Sequence, residues 1–273
     1  MEQKFIDLLE KGELKMWLDI STYCNAGCPA CHRTDRFRGG LHHEKWLPMV
    51  QWSIDQIKNA YPISFLKQVP SWEICGTFGD PVMNKDLYEI CEYISMNSDT
   101  KINIDTNGSI RSTDWWAKLA KLPGIQVDFA VEGTTQEMQN YYRRKTDLYK
   151  ILANMKAFTD AGGKANVFCV IHKHNQNHLF EIEALCKEYG AVKFDWVESN
   201  RFYHGPRVHF MDENGEQDYL EQSDGNYEPP KEIENKGVIV DHRSRTKFQK
   251  IALKVLRAGN GKDTDYSKDG IVR

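Results

Sequence analysis

Short apolar runs alternate with longer amphipathic stretches along the first three quarters of the chain. Residues 15–21, 72–76, 101–105, 125–131, 165–171 and 192–197 are brief runs rich in branched and aromatic side chains, and they read as strands. Between them, residues 47–60, 86–96, 113–122, 148–161 and 178–189 carry apolar positions at helical spacing. Gly162-Gly163 and Gly190 end the last two helices as C-caps. Six βα units result. With strands taken as buried on both faces, they imply an α/β fold, a parallel sheet closed into a barrel or open barrel. No short repeat points to a solenoid instead.

The pattern changes after residue 200. Residues 201–236 are rich in Asp, Glu, Asn, Gly and Pro, include Pro229-Pro230, and read as a long extended excursion. A short strand is expected at 238–240, an amphipathic helix at 246–258 and a tail at 259–273. The expected division is a core barrel over 1–200 and a C-terminal extension over 201–273.

Composition narrows the function classes. The 273 residues are 40% hydrophobic, enough for one large core, and a net charge of -3 gives no electrostatic case for nucleic acid or an anionic membrane as partner. No apolar run reaches the roughly 20 residues of a membrane span, and residues 1–14 lack a signal-peptide core, so a cytoplasmic protein is expected. Seven cysteines, an odd and partly clustered set, argue for thiols and metal rather than disulfides.

Three of those cysteines, Cys24, Cys28 and Cys31, form a CxxxCxxC run directly after the first strand, where barrel folds place functional groups. Three thiolates in one tight loop suit a cubane iron-sulfur cluster with one iron open to an outside ligand. Structural zinc is the alternative, with His32 as fourth ligand. Cys75, Cys91, Cys169 and Cys186 are scattered singly in apolar segments and read as small buried hydrophobes. A second segment, Cys75-Gly76-Thr77-Phe78-Gly79-Asp80-Pro81, follows the second strand, with glycines that let a ligand approach the backbone. A third begins at Glu132-Gly133 after the fourth strand and runs through a helix-like stretch to Tyr142-Arg143-Arg144-Lys145.

Together these segments resemble the radical S-adenosylmethionine enzymes, in the style of the SPASM/twitch peptide-modifying branch, over about residues 15–200. The resemblance implies a partial (β/α)6 barrel and two cofactors, a 4Fe-4S cluster on Cys24, Cys28 and Cys31 and S-adenosylmethionine, chelated to the open iron through its amino and carboxylate groups. An electron from the cluster would then yield a 5'-deoxyadenosyl radical for hydrogen abstraction. Thr77, Phe78, Gly79, Asp80 and Pro81 stand where the family has Gly-Gly-Glu-Pro and would receive the cofactor's amino group. Phe78 replaces a glycine and Asp80 a glutamate. Arg143 would pair with the cofactor carboxylate, with Arg144 as substitute. Ala130 occupies the position of a ribose-binding serine, so Thr106, Asn107 and Glu132 become the polar candidates for the ribose. Ala30 replaces an aromatic residue that packs near the adenine.

The implied partners are a peptide or small-molecule substrate and an electron donor such as flavodoxin or ferredoxin. No cysteine follows Cys186, so no auxiliary cluster is expected within this chain. Other open readings are a radical enzyme acting on a small metabolite or nucleotide, and a non-catalytic iron-sulfur or zinc module. Asp105, Glu132, His172, Asp195 and Glu198 are polar groups near strand ends that could orient a substrate.

Overall fold

The computed structural model describes residues 6–225, apart from 9 and 12. The strand, helix and tail expected beyond residue 237 lie outside the described residues. Six parallel strands, β1 (Lys15–Leu18), β2 (Ser71–Ile74), β3 (Lys101–Thr106), β4 (Ile125–Ala130), β5 (Lys164–Ile171) and β6 (Lys193–Glu198), form one sheet in chain order. Between them run α1 (Ile54–Ala60), α2 (Ile63–Leu66), α3 (Leu87–Asn97), α4 (Thr113–Leu119), α5 (Gln136–Tyr142), α6 (Leu148–Asp160) and α7 (Leu179–Glu188). Sequential order in an all-parallel sheet is the connectivity of a partial barrel, so all six strand ends that carry loops point the same way.

The two faces of the sheet differ, which corrects the expectation of burial on both. Ile102, Ile104, Val127, Phe129, Ala165 and Val167 are buried in the main core. Their neighbours Asn103, Asp105, Gln126, Asp128 and Asn166 alternate with them and point to the other, concave face, where all but Asn166 are half-buried. On the helix side, Trp116 of α4 packs on Phe129 of β4 at 5.0 Å between ring centroids and on Phe158 of α6 at 6.3 Å.

α1 is shorter than its apolar pattern suggests. Ser53 caps it by accepting from the Gln56 backbone N–H, and the Gln56 side chain accepts from the Ser53 N–H in return. The preceding residues are instead pulled into extended pairing, Trp52 N donating to Ile20 O (3.0 Å) and Thr22 N to Val50 O (3.0 Å). This pairing braces the entry to the cysteine loop.

The expected unpatterned excursion after residue 200 contains an antiparallel hairpin, β7 (Arg207–Met211) and β8 (Gln217–Glu221). Gly215, at φ 82°, makes its turn. Val208, Phe210 and Leu220 are buried against Ala26, Cys28, Ala30, Leu41 and Tyr142, so the hairpin packs on the cysteine loop. Arg144 fastens it through Glu213 (2.7 Å) and Asp218 (2.6 Å).

Candidate active site

The cysteine loop leaves β1 and crosses the end of the sheet where the loops after β2, β3 and β4 also converge. Glycines allow this crowding. A Cβ on Gly79 would lie 2.0 Å from Ser21 O, and one on Gly76 would lie 1.8 Å from Gly79 O. Asp80 N donates to Tyr23 O at 2.8 Å, which ties the β2 turn to the residue before Cys24.

Asp80 is buried, and its carboxylate collects donors from two turns. It accepts from Val82 N (2.9 Å), Thr106 Oγ1 (2.9 Å), Asn107 N (2.8 Å) and Asn107 Nδ2 (2.6 Å). Burial pushes its pKa up, while the hydrogen bonds from Asn107, Thr106 and Val82 oppose the rise. The same Asn107 amide lies 2.9 Å from Asn25 Oδ1 and 3.9 Å from Cys24 Sγ. Asn25 in turn donates to Ser109 Oγ at 2.7 Å. Asp80, Thr106 and Asn107 are thus joined to Cys24 in one polar network, with Asn25 and Ser109 as members that sequence reasoning missed. Asn25 had one available signal, its place inside the cysteine motif.

Thr77 and Phe78 sit on the outer part of the turn. The Thr77 backbone N–H donates to Asp19 Oδ1 at 3.0 Å, and the Phe78 ring meets Trp46 edge-on at 5.5 Å. Pro81 opens a 3-10 turn, Pro81–Met83, for which Asp80 is the cap.

On the other side of the cysteines stands an ion pair. Arg143 ends α5, and its Nε and Nη2 both lie 2.8 Å from Glu132 Oε1, while Nη1 reaches to 4.0 Å from Cys28 Sγ. The Glu132 side chain is fully buried and its Oε2 accepts from no group among the described residues. Burial disfavours the Arg143 charge, but Glu132 and Cys28 outweigh it and hold the guanidinium charged. Arg144, the alternative, points instead to the hairpin acids. Tyr142 lies tilted against His172 at 4.4 Å between ring centroids, and the His172 ring is fully buried.

Burial dominates the three-thiol environment. It raises the Cys24 thiol, with Asp80 and Cys28 adding to the rise, and pushes Cys28 up to about 12 against the pull of Arg143. Thiolates form in such a pocket when a metal replaces their protons. The three thiol sulfurs do not all lie within 4.8 Å of one another, a spacing that fits the corners of an iron-sulfur cluster better than the ligands of one zinc ion. His32, the alternative fourth zinc ligand, meets Arg201 through Nε2.

Asp105 and Asp195 face the concave side of the sheet, whereas Glu198 is exposed at the end of β6. A cleft of about 840 Å³ lined by Lys67, Val69, Pro70, Asn97 and Thr100 lies at the opposite, amino end of β2 and β3, away from the cysteines. No helix among the described residues is long and apolar enough to cross a membrane.

The model of the radical SAM superfamily matches residues 18–186. Mycofactocin maturase MftC of Mycolicibacterium smegmatis is 25% identical over 115 residues, 42% of this chain and 29% of that protein. A probable GTP 3',8-cyclase of Methanothermobacter marburgensis is 24% identical over 178 residues, 64% of this chain and 54% of that protein. The chain therefore spans little more than half the length of these relatives, or less. Among solved structures, Streptococcus suis SuiB bound to S-adenosylmethionine superposes with a TM-score of 0.55 at 18% identity, covering 72% of this chain and 44% of that one. SuiB has also been crystallised with its precursor peptide SuiA.

Proposed function

The chain belongs to the radical SAM superfamily, and from that premise we propose that it cleaves S-adenosylmethionine reductively and uses the resulting radical to abstract hydrogen from a peptide. The observation that carries the reading is the convergence of three cysteines, the Asp80 turn and the Arg143–Glu132 pair at one end of one sheet.

The family's cofactors are a 4Fe-4S cluster and S-adenosylmethionine, which when bound supply the electron and the 5'-deoxyadenosyl radical. Cys24, Cys28 and Cys31 would hold the cluster. Arg143, charged and aimed past Cys28, is suited to a carboxylate, since its planar fork offers donors beyond those given to Glu132. Asp80 already accepts four hydrogen bonds, so its main work is to fix the turn of Thr77, Phe78 and Gly79 that would receive the ammonium group. Glu132 Oε2 and the Asn107 and Thr106 turn are the polar groups left for the ribose hydroxyls. Pro81 holds the far side of that turn in place.

Likeness to MftC and to the SuiB fold supports a peptide substrate; the likeness to the GTP cyclase supports a nucleotide as the second reading. Free cysteines and a thiolate-held cluster favour a reducing compartment such as the cytoplasm, with a flavodoxin or ferredoxin as electron donor. The test is anaerobic reconstitution with iron and sulfide, followed by dithionite and S-adenosylmethionine. Equal amounts of 5'-deoxyadenosine and methionine are expected, and none when Cys24, Cys28 and Cys31 are alanine. An iron-loaded wild type that leaves S-adenosylmethionine intact would return the chain to the binding-module reading.

A further inference from the structure

The concave face of the sheet is acidic where its interior is least exposed. Glu73 of β2, Asp105 of β3 and Asp128 of β4 bring carboxylate oxygens within 4.8 Å of one another. Asp105 directly precedes Thr106, the residue that braces Asp80, so this cluster lies immediately beneath the cofactor end of the barrel. Asp195 of β6 shares the face and raises the Asp128 carboxyl, although burial is the larger cause.

A metal ion would be the first thought for three convergent carboxylates, but their focus is filled. Asn103 Nδ2 lies 2.7 Å from Glu73, 3.1 Å from Asp105 and 3.1 Å from Asp128. Gln126 fixes that amide by donating to its oxygen at 3.1 Å. Glu73 is further paired with the Lys15 ammonium, and Asp195 with Lys193. The face therefore already accommodates ammonium groups of the chain itself.

Asn166 of β5, only 5% exposed, reaches into this cluster and donates through Nδ2 to Asp128 Oδ1 at 2.8 Å. That bond fixes the orientation of its amide, and its Oδ1 is then buried with no donor among the described residues. An orphaned buried acceptor beside a carboxylate is costly unless a donor arrives. Charge and acceptor together ask for a cation with several N–H groups.

We propose that this face, through Asp128 and Asn166 Oδ1, binds an ammonium or guanidinium group of the substrate, as on a lysine or arginine side chain. The inference rests on the radical-enzyme reading for calling the bound molecule a substrate, and it favours a basic peptide over a nucleoside triphosphate, whose phosphates the same acids would repel.

The test uses the cluster-loaded wild type and two probes of nearly equal size, N-acetyl-lysine amide and N-acetyl-norleucine amide, with binding followed calorimetrically. The lysine probe is expected to bind at least tenfold more tightly, the scale of one charge-assisted hydrogen bond. Asp128→Asn, checked for native cluster content, should erase that preference. Equal affinity of the two probes would overturn the proposal, as would an unchanged preference in Asp128→Asn. Tight binding of magnesium ion with loss of the lysine preference would overturn it in favour of a metal site. Cleavage of S-adenosylmethionine, measured on the same sample, separates the two claims. Cleavage without a lysine preference sinks only this inference, and a lysine preference without cleavage sinks only the radical reading.

Discussion

Replacing Arg143 by alanine removes the charge that neutralises a buried carboxylate. Glu132 is fully buried, both close contacts of the guanidinium fall on its Oε1 at 2.8 Å, and Oε2 has no donor among the described residues. Breaking such a pair from one side costs about 3–5 kcal/mol. The orphaned Glu132 has one escape, which is to take up a proton. From a reference pKa of about 4.3, protonation at pH 7 costs about 3.7 kcal/mol, and this caps the electrostatic part of the loss.

The sign of the pH dependence follows. Burial already raises the folded-state pKa of Glu132 above its unfolded value against the pull of Arg143, and loss of Arg143 raises it further, so the stability difference between variant and wild type is absent below about pH 4.3 and grows as pH rises. The deficit of Arg143→Ala should therefore shrink from about 3–4 kcal/mol at pH 7 to about 1 kcal/mol at pH 5. The double variant Arg143→Ala/Glu132→Gln should recover about 2 kcal/mol at pH 7, because a neutral amide has no charge to desolvate. Anaerobic urea melts followed by circular dichroism at pH 5 to 8 measure all three. A deficit under about 1 kcal/mol at pH 7, or one that does not change with pH, would refute the claim that this is a buried, charged pair.

Gly79→Ala would press a Cβ to within 2.0 Å of Ser21 O; a loss of about 1–3 kcal/mol is expected, together with iron retention at least halved, as read by melts and iron assay. His172 is fully buried and its pKa is lowered to about 3, by burial first and then by His174 and Arg143. Its stabilising neutral form is fully favoured above about pH 6.5 and the benefit is lost as pH falls toward 3. Relative to His172→Phe, the wild type should lose about 1.2 kcal/mol between pH 7 and 5.5, and parallel melts would disprove it. Arg144→Ala removes both hairpin ion pairs, worth roughly 1 kcal/mol together at their partial exposure, and should speed limited proteolysis between Tyr203 and Gly225 by about fivefold. No change in cleavage rate there would show that apolar packing alone holds the hairpin.

Much of the sheet is readable because β3, β4 and the first half of β5 alternate apolar and polar residues and glycines mark the helix ends. That same alternation carries the correction about burial. Ile102-Asn103-Ile104-Asp105 and Gln126-Val127-Asp128 are two-faced strands, with a polar lumen on one side, rather than strands buried twice. The apolar pattern starts the first helix too early because Leu47, Met49 and Val50 fit a helical stripe, while the Ser53–Gln56 capping box that sets its true start is a weaker local signal. The β7–β8 hairpin gives a weak sequence signal because its buried apolar positions are limited to Val208, Phe210 and Leu220.

The site divides along similar lines. Cysteine spacing is local and was legible, whereas the network from Asp80 through Asn107 to Asn25 joins residues up to 82 positions apart and depends on the fold. The choice between Arg143 and Arg144 depends on which way the chain turns at the end of α5. There Arg143 leaves helical geometry at ψ 59°, sending its side chain to Glu132 and the next one to the hairpin.

The central claim is that three cysteines leave one iron open to S-adenosylmethionine, and electron paramagnetic resonance of the reduced, reconstituted protein tests it most directly. A single reduced 4Fe-4S signal, from about four irons per chain, is expected, and its line shape should change when S-adenosylmethionine is added. A spectrum identical with and without S-adenosylmethionine, or a full signal in the Cys24→Ala/Cys28→Ala/Cys31→Ala variant, would contradict the account.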